Sequence, residues 1–174
     1  MKKIIIASSG ASGVNLGIKA LELLPKEIEK HFIISEHAKV VLDKEMNDVT
    51  LHHNENIGAS VASGSFGVDA MLIAPCSMNT LAKIACGIAD NLVTRTAAVM
   101  IKEQKKLILA PREMPFSAIA LENMHKLASL GIIIAPPVMA YYSKQQSLDD
   151  MENFIIGKWF DLLGIENQLY KRWE

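Results

Sequence analysis

Lys3-Ile4-Ile5-Ile6-Ala7-Ser8 runs directly into Ser9-Gly10-Ala11-Ser12-Gly13, and from Gly13 to Leu24 the pattern is helical. A short β-branched run, a turn of small residues and then a helix make the opening of a strand–turn–helix unit. The glycines let backbone N–H groups approach a phosphate closely, and the following helix aims its positive end at it. The spacing is not the G-x-G-x-x-G dinucleotide fingerprint, so a nicotinamide dinucleotide is not indicated. The same residues also read as a plain strand-to-helix turn with Ser12 as the N-cap, and both readings stay open. Met1-Lys2-Lys3 before the isoleucines imitates a signal peptide, but the apolar run stops at Ser8-Ser9-Gly10, short of an h-region.

The same unit recurs along the chain. Candidate strands are Lys3–Ser8, His31–Ser35, Ala70–Ala74, Lys106–Ala110 and Ile132–Ala135. They are rich in Ile and Leu with little alternation, as expected when helices cover both faces. Helical patterns fall at Gly13–Leu24, Glu36–Met46, Asn79–Ile88, Leu92–Gln104, Ser117–Leu130 and Ser147–Leu163. In the last of these, Leu148, Met151, Ile155, Trp159 and Leu162 form a core-facing stripe, and Ser147 with Asp150 reads as its cap. The polar stretch Asn47–Asn56 reads as a surface loop. No repeat or linker interrupts the pattern, so residues 1–174 read as one domain. The expected fold is α/β: a Rossmann-like or flavodoxin-like doubly wound parallel sheet with helices on both faces.

Ligands of such sheets bind beyond the carboxyl ends of the strands, so the residues after each strand carry the functional information. These are Ser9–Gly13 after the first, Ser35 after the second and Pro75-Cys76-Ser77-Met78-Asn79-Thr80 after the third. The fourth is followed by Pro111-Arg112-Glu113-Met114-Pro115, and the fifth by Pro136-Pro137 and then Tyr141-Tyr142. Ser77, Asn79 and Thr80 suit either a helix cap or donors to a phosphate or flavin edge. Arg95 and Lys102, seven residues apart on one helix, suit either a phosphate grip or a solvated basic face. Arg112-Glu113 is either a surface ion pair or a carboxylate placed for proton transfer.

Composition limits the classes. The chain has 174 residues, half of them hydrophobic, and a formal net charge of −1. A balanced charge argues against a nucleic-acid footprint or a polybasic membrane patch. The longest apolar stretch, Leu130–Tyr142, contains Gly131, Pro136 and Pro137 and cannot span a bilayer. A soluble, cytoplasmic protein is expected. A mean hydropathy of +0.20 in so small a chain implies apolar surface that an oligomer would cover. Cys76 and Cys86 are too few for a disulfide framework and read as small buried hydrophobes. His31, His37, His52-His53 and His125 show no metal-site spacing and do not assemble in the sequence.

Taken in order, these segments resemble the flavin prenyltransferases of the UbiX family, within the flavin-dependent cysteine decarboxylase fold group. The resemblance rests on Ser9–Gly13, Ala62-Ser63-Gly64-Ser65, Pro75-Cys76-Ser77 with Thr80, and Asp90-Asn91-Leu92 with Arg95. It continues through Leu107–Pro115, Leu121-Glu122-Asn123-Met124, Tyr142 before Gln146-Ser147, and Arg172-Trp173.

The resemblance implies a metal-independent transfer of the dimethylallyl group of dimethylallyl monophosphate to N5 and C6 of reduced FMN. The product, prenylated FMN, would serve UbiD-type decarboxylases, with a place in ubiquinone biosynthesis. It further implies FMN contacts from Gly10, Ala11, Ser12, Ser35, Ser77, Met78, Asn79, Thr80 and Arg112. The prenyl phosphate would be held by Arg95, Lys102, Tyr142 and Lys158, with Trp173 in an aromatic wall. Glu113 would move a proton, Glu45 would sit near the reacting ring, and Ser12 would join them in catalysis. A homo-dodecamer with flavin sites at subunit contacts is also implied. Lys158 departs from the family's usual arginine, keeping the charge without the planar fork. The segment between Met46 and Ser60 offers no family motif. Two alternatives are an FMN-dependent decarboxylase of a cysteinyl substrate and a non-catalytic flavin-binding module; the former usually carries Pro-Ala-Ser-Ala-Asn-Thr where this chain has Pro75–Thr80.

Overall fold

Strand β1 (Lys3–Ser8) lies at the centre of a parallel sheet whose order is β3-β2-β1-β4-β5-β6. Its partners are β2 (Glu29–Ile34), β3 (Val49–His53), β4 (Ala70–Cys76), β5 (Lys106–Pro111) and the short β6 (Ile133–Ile134). The helices are α1 (Val14–Leu23), α2 (Met78–Ala85), α3 (Leu92–Lys102), α4 (Ala118–Ser129) and α5 (Leu148–Leu163). The computed structural model describes residues 2–10, 12–34 and 48–173. The helix expected at Glu36–Met46 lies outside them.

Alternation along each strand sorts the side chains into two cores. Ile4, Ile6, Phe32, Ile34, Leu72 and Ile108 face α1 and α5. Ile5, Ala7, Ile33, Met71, Ile73 and Leu109 face α2, α3 and α4. Both faces of the central strands are therefore dry, which is why β1, β4 and β5 show no polar alternation. This is the doubly wound α/β sheet expected, with the strand order of the Rossmann arrangement. Among the described residues, no helix is long and apolar enough to cross a membrane.

Three expectations change. The stretch read as a loop at Asn47–Asn56 contains β3, paired in register with β2 from Lys30↔Val49 to Ile34↔His53. It escaped notice because it is an edge strand, with Thr50, Leu51 and His53 exposed, so backbone pairing rather than burial defines it. In α5, Leu148 is 72% exposed and is not part of the core stripe. The first turn is held instead by the expected Ser147–Asp150 capping box and by Lys19, which pairs with Asp149 at 2.6 Å and Glu152 at 3.0 Å. Phe154 and Phe160 replace Leu148 among the buried residues. Finally, α2 ends at Ala85 rather than Ile88, because Gly87 adopts φ +72° and the Ile88 N–H donates to the Lys83 carbonyl at 2.9 Å.

Candidate active site

The strand order reverses between β1 and β4, and it is at such a switch point, beyond the carboxyl ends of the strands, that open α/β sheets bind their ligands. Ser9 ties the two exits together. Its N–H donates to the Pro75 carbonyl at 3.1 Å, and its Oγ accepts from the Ser77 N–H at 3.1 Å. The turn that follows has Gly13 at φ +90°, a conformation that favours glycine. A side chain on Gly13 would begin 3.5 Å from Cδ of Arg112, so the arginine leaving β5 lies against the first turn of α1.

The two helix N-termini at this switch point differ. Gly13, not Ser12, is the N-cap of α1, and no side chain caps the helix. Ser12 is exposed, its hydroxyl not spent on the cap that the turn reading gave it. In α2 the cap is Ser77, whose Oγ accepts from the Thr80 N–H at 3.1 Å and donates to Thr80 Oγ1 at 3.0 Å. Met78 is half-buried and Asn79 is exposed. The dipole of α1, whose start carries no side-chain cap, and the guanidinium alongside make an anion-directed corner.

Burial pushes the Cys76 thiol up to about 12, so it is the inert small hydrophobe expected. Cys86 is exposed, contrary to expectation, because α2 stops at Ala85 and leaves it in the turn. Glu113 follows Arg112 on an exposed loop, and its Oε1 accepts from the Met114 N–H at 3.2 Å.

Arg95 and Lys102 both line a cleft of about 580 Å³ between α3 and the segment Ile57–Gly64. Lys102 also pairs with Glu103 at 2.9 Å. The N-terminus of α3 is closed to anions. Leu92 N–H donates to the Asn54 carbonyl at 2.8 Å, Val93 N–H to Asn54 Oδ1 at 3.0 Å and Thr94 N–H to Asn91 Oδ1 at 3.0 Å. An anion in this cleft would thus be held by the two side chains. Tyr142 stacks edge-on against Trp173, ring centroids 5.3 Å apart, and against Phe154 at 5.8 Å. Lys158 is exposed on α5. The residues lining the Arg95–Lys102 cleft include none from the β1 and β4 exits, and neither Tyr142 nor Lys158.

A Flavoprotein family model matches residues 1–160. The flavin prenyltransferase UbiX of Helicobacter pylori strain J99 is 48% identical, over 98% of this chain and 98% of its own. The chain belongs to the UbiX flavin prenyltransferase family. Among solved structures, AnUbiX (PadA1) in complex with FMN and dimethylallyl pyrophosphate superposes with a TM-score of 0.92 at 37% identity, covering 99% of this chain and 97% of that one. A dodecameric FMN-dependent UbiX-like decarboxylase from Escherichia coli O157:H7 gives 0.90 at 38% identity, with 99% of both chains covered.

Of the residues that the UbiX resemblance singled out, the structure places Gly10, Ser12, Ser77, Asn79, Thr80 and Arg112 at the exits of the neighbouring strands β1, β4 and β5. It gathers Arg95 with Lys102, and Tyr142 with Trp173. Ala11, Ser35 and Glu45 lie outside the described residues. The histidines correct the sequence reading. His31 is buried, and its Nδ1 stands 3.1 Å from Nε2 of His52, with Nε2 3.0 Å from Glu29. This pair forms because β3 exists, which is why it was invisible without that strand. Burial and the neighbouring His31 push the His52 pKa down. Asn54 was missed as well; only the register of β3 reveals that it ends a strand and caps a helix. Among the described residues, no cluster of His, Cys, Asp or Glu is arranged to hold a metal ion.

Proposed function

We propose that this chain, a single flavoprotein domain over residues 1–174, transfers the dimethylallyl group of dimethylallyl monophosphate to reduced FMN without a metal. The allylic C–O bond breaks as N5 of the flavin takes that carbon and loses its proton, and phosphate leaves. The prenyl double bond is then protonated at one carbon while the other bonds to C6, which gives up its own proton. The prenylated FMN would pass to UbiD-type decarboxylases in the cytoplasm. The observation that carries this reading is the switch point between β1 and β4, where the side-chain-uncapped start of α1 and Arg112 meet at the same turn.

The residues fit a flavin nucleotide. Gly10, Ala11 and Ser12 would meet its phosphate at the start of α1, with Ser35, the Ser77–Thr80 turn and Arg112 around the remainder. Arg95, Lys102, Tyr142 and Lys158 would hold the prenyl phosphate. Clustered cations and a phenol stabilise the charge that grows on phosphate oxygens as the allyl group departs. Trp173 would offer its ring face to positive charge on the allyl carbon. Glu113 would carry a proton to the leaving phosphate or from the flavin, with Glu45 and Ser12 beside the ring.

Within one chain the Arg95–Lys102 cleft and the proposed flavin site are separate, so neighbouring subunits would complete the site. A homo-dodecamer accounts for exposed Met114, at 91%, and Ile119, at 72%. The decisive experiment is anaerobic incubation with reduced FMN and either dimethylallyl monophosphate or the diphosphate. A flavin heavier by one C5 unit supports the reading, and the faster donor identifies the leaving group. Unchanged flavin with both donors sinks it. Loss of carbon dioxide and two hydrogens from a cysteinyl peptide would replace it with the decarboxylase.

A further inference from the structure

The chain does not end with α5. Gly164 closes the helix at φ +69°, Ile165 is buried in the core, and the following segment folds back over the helix. Asp161 gathers it. Its Oδ1 accepts from Asn167 Nδ2 at 2.9 Å and Arg172 Nη2 at 2.8 Å, and its Oδ2 from the Tyr170 hydroxyl and Arg172 Nη1, the latter at 3.0 Å. Both carboxylate oxygens are doubly used, and the arginine meets them with its planar fork.

The helix is shaped to receive the segment. A side chain on Gly157 would begin 2.5 Å from Cδ1 of Tyr170, so the missing Cβ is the seat of that ring. Phe154 packs edge-on against Tyr170 at 5.0 Å on one side and Tyr142 at 5.8 Å on the other. Tyr142 in turn meets Trp173 at 5.3 Å. Phe154, Lys158 and Asp161 fall at helical spacings of four and three, hence on one face of α5. The tail therefore crosses the face that carries Lys158 and delivers Trp173 to Tyr142. Trp173 itself is 78% exposed and has little burial of its own to hold it there.

We propose that Asp161 is a positioning residue: by binding Asn167, Tyr170 and Arg172 it fixes the tail across α5, so that Trp173 stands against Tyr142 at the prenyl-phosphate end of the site. This rests on the reading that Tyr142, Lys158 and Trp173 hold the prenyl phosphate. Asp161 touches neither substrate; it acts through the tail.

The test uses the full-length, FMN-loaded protein with Asp161→Asn, which keeps the shape but turns an acceptor into a donor facing Arg172 and Tyr170. Tyr170→Phe, which only removes one hydroxyl, guards against a misfolded first variant. Two quantities are read: the fluorescence anisotropy of Trp173 in a Trp159→Phe background, and the calorimetric Kd for dimethylallyl monophosphate. Lower anisotropy together with a Kd about tenfold weaker, at unchanged FMN affinity, is expected. Unchanged anisotropy overturns the proposal, since the tail would then be held by something else. Lower anisotropy with unchanged Kd overturns it too, because the tail would be merely structural. Failure of the reaction reading appears elsewhere, as unsubstituted protein that adds no C5 unit to reduced FMN.

Discussion

A methyl group on Gly17 would sit 2.3 Å from the carbonyl oxygen of Ala74. Helix α1 thus lies directly on the backbone of β4, one residue before Pro75 and the proposed flavin site. Rigid backbone cannot move aside as a side-chain tip would, so Gly17→Ala must push the helix off the sheet. Overpacking of this kind costs about 1–3 kcal/mol. The expected result is a lower thermal midpoint together with weaker FMN binding, read by calorimetry and flavin titration. Full stability in this variant would show that α1 can lift without consequence.

Ser9 ties β1 to β4 through its hydroxyl, which accepts from the Ser77 N–H at 3.1 Å. Ser9→Ala leaves that half-buried donor unpaired, at a cost of about 1–3 kcal/mol. FMN affinity should fall with stability, because the same bond joins the β1 exit to the cap of α2. Chemical denaturation and equilibrium flavin binding measure the two effects separately.

Glu113 stands on an exposed loop next to Arg112, whose Cδ lies against the turn that opens α1. Glu113→Gln should bind FMN as the parent does and form product at least about a hundredfold more slowly, the usual scale for a proton-transfer group. Single-turnover mass spectrometry of the flavin reads this directly. Undiminished turnover would remove Glu113 from the chemistry.

Most of the sheet could be read from the sequence because burial on both faces writes itself as unbroken apolar runs, Ile4–Ala7, Ala70–Ala74 and Leu107–Ala110, in β1, β4 and β5. The strand exits were legible for the same reason, since Ser9–Gly13 and Pro75–Thr80 follow those runs. An edge strand carries no such signature: Val49–His53 is defined by its pairing with β2, and with it went the His31–His52 contact and the Asn54 cap. Arg172 was legible only through the family resemblance and Tyr170 not at all, because their partner Asp161 is reached only by folding the chain back. Distances across the chain, unlike periodicities along it, are not written in local sequence.

Lys158 is exposed on the α5 face that the tail crosses. Lys158→Ala should weaken dimethylallyl monophosphate binding about tenfold, near the lower end of what a hydrogen bond to a charged group contributes. Lys158→Arg should tighten it, because the guanidinium adds a second parallel donor. Isothermal titration on FMN-loaded protein compares the three, and equal affinities would assign Lys158 to plain surface.

The tail contact sets its own pH window. Burial, and next the hydrogen bond to Asp161, push the Tyr170 phenol up to about 12, whereas a free tyrosine loses its proton near 10. The docked state holds the proton more tightly, so its advantage is complete below about pH 10 and is lost as pH rises through about 12. Asp161 works in the opposite sense. The Arg172 guanidinium, above all, holds its carboxyl below the usual carboxylate range, so that contribution is present above about pH 4 and is lost as pH falls further. Trp173 anisotropy should therefore be flat between about pH 5 and 9 and decline at both ends. Tyr170→Phe should abolish the alkaline decline and keep the acid one, because phenylalanine has no proton to lose while Arg172 still binds Asp161. An alkaline decline that survives in Tyr170→Phe would place the responsible group elsewhere.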